Sequence, residues 1–136
     1  MKKLLLAVIV SLSTISTAAL AEIKVGIILG FTGPIETLTP AMRDSAKLAF
    51  KEVSDSGALL GGETITPLIG DSTCVDSDAA VAAAELIVSD GAVAIMGADC
   101  SGVTGAIATN VAVPNGVTMV SPSATSPGLT SLADNG

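Results

Sequence analysis

Four short apolar runs, separated by longer stretches with helical periodicity, constrain the fold of this chain more than any other feature. The runs are dominated by aliphatic residues, many of them β-branched, which is typical of buried parallel strands. The order β-α-β-α-β-α-β predicts an α/β fold, in which a parallel sheet has helices on both faces and right-handed crossovers. The predicted strands are residues 23–30, 64–69, 92–96 and 116–120, and the predicted helices are residues 40–56, 77–89 and 101–113.

Residues typical of helix and strand ends support this order. Thr39 is a candidate N-cap of the first helix, because its hydroxyl can accept from a backbone N–H of the first turn. Asp76 and Ser77 are candidates for the same role in the second helix. Pro114 is expected to close the third helix. Pro67 either weakens the assignment of the second strand or places that strand at an edge of the sheet.

Residues 1–21 have the pattern of a secretory signal peptide, which leaves residues 22–136 as the folded domain. Lys2 and Lys3 precede the apolar run 4–10, and Ala19-Leu20-Ala21 is a small-residue signal that predicts cleavage after Ala21. The alternative, a membrane anchor, is disfavoured because spanning a bilayer takes about 20 apolar residues. We therefore expect an exported, periplasmic protein.

Charge and composition exclude several functions. The net charge is −7, and because Lys2 and Lys3 leave with the signal peptide, the remaining chain keeps four basic and all 13 acidic side chains. Nucleic acid is therefore not an expected partner, since phosphate binding needs a basic surface. The absence of histidine from the sequence excludes a Ser-His-Asp triad and histidine metal ligands, and two cysteines cannot form a four-thiolate zinc site. We predict no metal and no cofactor.

Ligands of open α/β sheets bind beyond the carboxyl ends of the strands, and two of the loops expected there are rich in hydroxyl groups. After the third strand, Ser101 either caps the next helix through the Thr104 N–H, or helps the N–H groups of the first turn to bind a carboxylate or another small anion. After the fourth strand, Pro122 fixes a turn that holds the hydroxyls of Ser123 and Thr125. Two such loops on neighbouring strands favour binding over a plain connection.

Cys74 and Cys100 follow the second and third strands, so both lie at one edge of the sheet and a disulfide is geometrically reasonable. The alternative of two free buried thiols is disfavoured after export. Asp71 and Asp99 are acidic residues at the same edge, and neither has a paired carboxylate nearby in sequence. We expect Asp71 to cap a loop and Asp99 to interact with a helix start, and we predict no catalytic residue.

Several segments of the chain occur together, and in this order, in one protein family. They are Ile23-Lys24-Val25-Gly26, Thr32-Gly33-Pro34, Cys74 after Gly70-Asp71, Gly97 with Cys100-Ser101-Gly102-Val103-Thr104, and residues 121–130. On these motifs the chain resembles the periplasmic branched-chain amino-acid-binding proteins of ABC transporters, over nearly all of its length after the signal peptide. The resemblance implies a Rossmann-like lobe of a type I periplasmic binding protein. Residues 22–136 would be an incomplete N-terminal lobe of a longer, two-lobed protein.

The resemblance also implies a ligand and the residues that hold it. The ligand would be a branched-chain amino acid, or a similar small zwitterion or amide, delivered to an ABC permease in the inner membrane. Ser101 would donate to its carboxylate, Thr125 would add its hydroxyl and backbone N–H, and the Ser123 carbonyl would accept from its ammonium. Gly102 and Ala124 lie in the same two motifs. The two cysteines match the first-lobe disulfide of the family.

Leu38 departs from the family pattern, because some amino-acid-binding members place an aromatic side chain near this position, where it packs on the ligand. The side-chain preference of the site therefore stays open, since relatives bind amides, urea or aromatic acids. Two other functions also remain open: an exported ligand-sensing receptor domain of the same fold, and an exported α/β enzyme. A membrane segment or kinase downstream would indicate the receptor, and histidine or paired carboxylates facing Ser101 would indicate the enzyme.

Overall fold

The computed structural model describes residues 22–134, so the predicted signal peptide lies outside the described residues. The described chain forms a four-stranded parallel sheet in the order β2-β1-β3-β4. The strands are β1 (Glu22–Leu29), β2 (Thr64–Asp71), β3 (Ala94–Gly97) and β4 (Thr118–Val120). The helices are α1 (Thr39–Ser56), α2 (Ser77–Ser89), α3 (Ser101–Ile107) and the one-turn α4 (Val113–Asn115), with a π-helical turn at Ala108–Ala112 and a 3-10 turn at Pro127–Ser131. The predicted α/β fold with a parallel sheet is confirmed.

β1 is central because it pairs with β2 on one side and β3 on the other, and its residues Ile27, Ile28 and Leu29 are fully buried. β2 is an edge strand of the described sheet, and Pro67 lies in it opposite Val25. The edge position predicted for this strand is therefore confirmed. Proline is tolerated there because an edge strand leaves some N–H positions without a ladder partner.

The main core lies between the sheet and the helices α2 and α3. Ile28 contributes to it from the sheet, together with Ala80, Ala84 and Ile87 of α2 and with Val103 and Ile107 of α3. Two glycines of the sheet allow α2 to lie close to it. A Cβ at Gly26 or Gly70 would lie 2.8 Å from the Ile87 side chain of α2. Side chains alternate along a strand, so Ile27 and Leu29 face the opposite side of the sheet. There α1 contacts β1 and β2.

The predicted N-caps have different outcomes. Of the two candidates for α2, Ser77 is the first residue of the helix and Asp76 is the cap. Asp76 caps α2, and its carboxylate accepts from the backbone N–H groups of Asp78 and Ala79. The prediction that Thr39 caps α1 is wrong. Thr39 is the first residue of the helix and is fully buried, and its hydroxyl donates to the carbonyl oxygen of Gly30 at 3.0 Å. The hydroxyl therefore ties the start of α1 to the end of β1 and leaves the α1 N–H groups without a side-chain cap.

The third helical stretch runs past Pro114, which was expected to end it. Pro114 follows a π-helical turn, in which the Val113 N–H donates to the Ala108 carbonyl five residues earlier. The hydrogen-bond register thus changes just before the residue that has no N–H donor. The stretch ends at Gly116, whose positive φ of 65° is readily adopted by glycine. None of the helices within residues 22–134 is long and apolar enough to cross a membrane.

Candidate functional site

The segments that follow the four strands meet at one edge of the sheet, and a close approach of β3 to β1 brings them together. Gly97, the last residue of β3, has a φ of +138°, a conformation that residues with a side chain rarely adopt. A Cβ at this position would lie 2.0 Å from the carbonyl oxygen of Ile28 in β1. The absence of a side chain at Gly97 therefore lets the chain after β3 pass directly beside the end of β1.

Asp99 is buried at this crossing, with 3% of its surface exposed. One carboxylate oxygen accepts from the Gly30 N–H at 2.7 Å. The other accepts from the Ser72 hydroxyl at 3.2 Å and from the Cys100 N–H at 3.0 Å. The expected interaction with a helix start is confirmed by the bond from Cys100, the N-cap residue of α3. The bonds to the ends of β1 and β2 were not expected, because nothing local in the sequence indicates them.

The predicted disulfide between Cys74 and Cys100 is confirmed, with their Cα atoms 5.2 Å apart. Cys74 belongs to the segment after β2, and Cys100 directly precedes α3. Two links therefore join these segments side by side, namely the disulfide and the bond from the Ser72 hydroxyl to Asp99. Together they fix the position of Ser101, the next residue in the chain.

Ser101 does not cap its own helix, which corrects one of the two alternatives considered for it. The Thr104 N–H bonds to the Cys100 carbonyl instead, at 2.9 Å. The Ser101 Oγ accepts from the backbone N–H groups of Thr125 and Ser126, both at 3.1 Å. These two bonds occupy both acceptor positions of the oxygen. The Ser101 hydroxyl donates to no acceptor within residues 22–134, so its hydrogen is available to a ligand.

The loop after β4 is built onto the segment after β3. The Ser121 hydroxyl donates to the Ala98 carbonyl and accepts from the N–H of Ala124 at 2.8 Å. The Ser123 hydroxyl donates to the Asp99 carbonyl at 2.9 Å. The structure thus brings Ser101, Gly102, Ser123, Ala124 and Thr125 into two adjoining segments. Ser121, which joins them, was not among the residues singled out from the sequence.

Two backbone groups of this loop matter for a ligand. The N–H of Thr125, expected to contact a carboxylate, donates here to the Ser101 Oγ. Within residues 22–134 the Thr125 hydroxyl has no hydrogen-bond partner, and the Ser123 carbonyl accepts no hydrogen bond. Hydroxyl donors and a carbonyl acceptor are therefore among the polar groups that these two segments leave free. None of these segments carries a basic side chain.

The segment after β1 forms another side of the same edge. Leu38, 61% exposed, directly precedes α1 at the end of this segment. Asp71, at the end of β2, holds the segment by accepting from the Thr32 hydroxyl at 2.6 Å and the Thr32 N–H at 3.3 Å. It also accepts from the Thr73 N–H at 2.8 Å. Asp71 therefore caps loops, as predicted.

These bonds set the charge state of Asp71. Partial burial by itself raises the pKa of the carboxyl group, but the Thr32 hydroxyl and backbone N–H groups of Thr73, Thr32 and Phe31 outweigh it and lower that pKa below its usual value. The ionised carboxylate is thus the form that fits these donors.

We expect Asp71→Asn to reduce the dependence of folding stability on acid. The folded-state pKa of Asp71 lies below the unfolded value of about 3.9, so its stabilising contribution is present above that pH and is lost as the pH falls through the folded pKa. The variant should be less stable at pH 7 and change less on acidification. Urea unfolding of the complete protein at neutral and acid pH measures this, with Glu85→Gln on the exposed surface of α2 as the charge-matched control. An unchanged acid dependence in Asp71→Asn would contradict the assignment.

A cavity of about 650 Å³ lies elsewhere in the described part of the chain. It is an open groove between the helical stretch 101–115, β4 and the side chains of Leu129 and Leu132. It includes Thr104 and Ser121 but none of the six residues predicted to contact the ligand. We therefore place the candidate site on the hydrogen-bonded segments at the carboxyl ends of the strands, where the free polar groups are.

The chain is similar in sequence and fold to known binding proteins. Residues 22–133 match the model of a family described as periplasmic binding protein. The chain is 33% identical over 128 residues to the Leu/Ile/Val-binding protein BraC3 of Rhizobium johnstonii. The aligned region covers 94% of this chain and 34% of that protein. The chain thus spans about a third of the length of this curated relative.

Two solved structures are similar in fold and differ in their ligands. One is LivJ of Streptococcus pneumoniae, the substrate-binding protein of a branched-chain amino acid transporter, in complex with isoleucine. Its TM-score is 0.72 at 29% identity, over 82% of this chain and 31% of that one. The other is an ABC transporter solute-binding protein of Rhodopseudomonas palustris with 3,4-dihydroxybenzoic acid, with a TM-score of 0.68 at 25% identity, over 81% and 29% of the two chains.

Proposed function

The chain belongs to the periplasmic binding protein family, and from this membership we propose that the complete protein is the solute-binding component of an ABC importer. It binds a branched-chain amino acid or a similar small zwitterion between two lobes, and residues 22–136 supply part of the first. It acts in the periplasm after cleavage of the signal peptide behind Ala21, and it delivers its ligand to a permease in the inner membrane. The matched relatives and solved structures are binding proteins and not enzymes.

The observation that carries this proposal is the bonding of Ser101. Its oxygen accepts two N–H groups from the loop after β4, which orients its remaining hydrogen away from that loop. A fixed O–H donor is suited to a carboxylate, since bonds to charged groups are the stronger ones. The Thr125 hydroxyl and the Gly102 N–H provide further donors on the same two segments.

The opposite charge of a zwitterion needs an acceptor, and the Ser123 carbonyl supplies one. Its residue is held in place by the bond from its own hydroxyl to the Asp99 carbonyl. An amino acid therefore finds donors for its carboxylate and an acceptor for its ammonium on adjoining segments. The absence of basic side chains from these segments agrees with recognition by neutral groups.

The side chain of the ligand is the part that this lobe specifies least. Leu38 offers an exposed aliphatic surface where an aromatic residue would stack on a ligand. Aliphatic contact suits a branched-chain amino acid. An aromatic acid is the second candidate, favoured by the similarity to the dihydroxybenzoate-bound structure.

Calorimetry with the complete protein tests the site. We expect Ser101→Ala to weaken L-leucine binding about 10- to 100-fold, because a hydrogen bond to a charged group contributes about 1.5–3 kcal/mol. Thr125→Val should weaken it about tenfold by the same reasoning. Thr130→Val is the matched control, because the Thr130 hydroxyl donates to the Pro127 carbonyl within the 3-10 turn.

The control should bind L-leucine with wild-type affinity. Wild-type affinity in both Ser101→Ala and Thr125→Val would refute the site. A titration with 3,4-dihydroxybenzoic acid, run beside L-leucine on the wild-type protein, distinguishes the two ligand classes. Tighter binding of the aromatic acid would replace the amino acid as the proposed ligand.

A further inference from the structure

Asp99 is the one residue bonded to the segments that follow the three other strands of the described sheet. Its carboxylate accepts from Gly30 after β1 and from Ser72 after β2, and its carbonyl accepts from Ser123 after β4. Asp99 itself follows β3. Ser101 is two residues further along the chain, and its side-chain oxygen also binds the loop after β4, through the N–H groups of Thr125 and Ser126.

The chemistry of this junction requires a carboxylate. Three donors converge on Asp99, two backbone N–H groups and one hydroxyl, and both carboxylate oxygens are used. An ionised carboxylate is acceptor-only, so it matches these donors at both oxygens. An asparagine presents an N–H₂ group at one of the two positions, where it faces a donor instead of an acceptor. Because Asp99 is buried, water cannot easily replace the lost bond.

We propose that Asp99 is a positioning residue of the ligand site. It contacts no ligand, and it acts by fixing Ser101 and the loop 121–126 relative to the ends of β1 and β2. The test of this proposal by ligand affinity rests on the proposed function. The test by amide hydrogen exchange needs no ligand.

The first experiment measures L-leucine affinity in the complete protein with Asp99→Asn. We expect binding to weaken about tenfold or more, as when the partners that orient binding groups are removed. Ile87→Val is the control for a loss of stability alone, because the Ile87 side chain packs α2 on the sheet within the main core and is apolar. It should lower the melting temperature and leave the affinity at the wild-type value.

The second experiment measures amide hydrogen exchange of the same variant without ligand. Protection should fall about tenfold at Thr125 and Ser126, whose N–H groups depend on the position of Ser101, and stay at the wild-type level at Ala84 within α2. If the wild-type protein does not bind L-leucine, the proposed ligand is wrong, and the exchange measurement alone decides the role of Asp99.

Wild-type affinity together with wild-type exchange at Thr125 and Ser126 would overturn the proposal. So would an equal loss of protection throughout the chain, since that indicates general destabilisation. If Asp99→Asn does not fold, Ser72→Ala replaces it, because it removes one donor and keeps the carboxylate. It should weaken binding about threefold and reduce protection at the same two amides, and unchanged values in both measurements would overturn the proposal.

Discussion

Gly97→Ala is expected to prevent the complete protein from folding, or to lower its melting temperature by about 10 °C or more. The added Cβ would lie 2.0 Å from the Ile28 carbonyl oxygen, inside the contact distance of any pair of heavy atoms. The obstacle is backbone of the central strand, so no side chain can move aside. The φ of +138° adds strain for any residue with a Cβ. We expect a loss above about 4 kcal/mol, which is a large part of the stability of an ordinary domain.

Gly105→Ala is the matched control, because it makes the same substitution eight residues further along the chain. A Cβ there would lie 3.7 Å from the Leu129 side chain, which is ordinary van der Waals contact. In a helix interior alanine is favoured over glycine by about 0.5–1 kcal/mol, so this variant should be as stable as the wild type or more stable. Thermal unfolding by circular dichroism compares the two. Equal melting temperatures for both variants would show that β3 and β1 do not approach each other as described.

The element order was predictable from the sequence because strand and helix depend on local periodicity. The apolar runs located all four strands, and the end of β2 at Asp71 differs from the predicted end by two residues. Thr39 was misassigned because its hydroxyl has a better partner than its own helix, the Gly30 carbonyl nine residues earlier. Pro114 was misassigned because a π-helical turn changes which N–H groups the helix needs. Both errors concern hydrogen bonds that the usual signals of helix ends do not predict.

That the candidate segments adjoin was predictable from the sequence, whereas the hydrogen bonds between them were not. Sheet topology alone places Cys74 and Cys100 at one edge, and it places the hydroxyl-rich loops beside them. The partner of the Ser101 oxygen is 24 residues away at Thr125, and no spacing rule indicates such a bond. The bonds of the Asp99 carboxylate were equally hidden, because its partners Gly30 and Ser72 lie in the segments that follow other strands.

Removing the disulfide by Cys74→Ser together with Cys100→Ser is expected to lower the free energy of unfolding by about 3.5 kcal/mol. In the chain-entropy account the bridge restricts the unfolded chain, and the cysteines are 26 residues apart. Both cysteines are replaced because a single remaining thiol could pair between molecules. Urea unfolding of the complete protein with and without reductant measures the effect. Reductant should destabilise the wild type and leave the double variant unchanged, and a wild type insensitive to reductant after unfolding and refolding would contradict the prediction.

The double cysteine variant also tests whether the two links between the segment after β2 and the start of α3 act independently on ligand binding. The Cys74–Cys100 bridge and the Ser72–Asp99 bond connect neighbouring residues of the same two segments, so either one limits their movement when the other is absent. Adding Ser72→Ala to the double variant should therefore weaken L-leucine binding by more than the product of the separate effects. Multiplicative effects would show that each link acts on the site independently. A greater-than-multiplicative loss would show that the position of Ser101, and with it the donor offered to the ligand, depends on the two links as a pair.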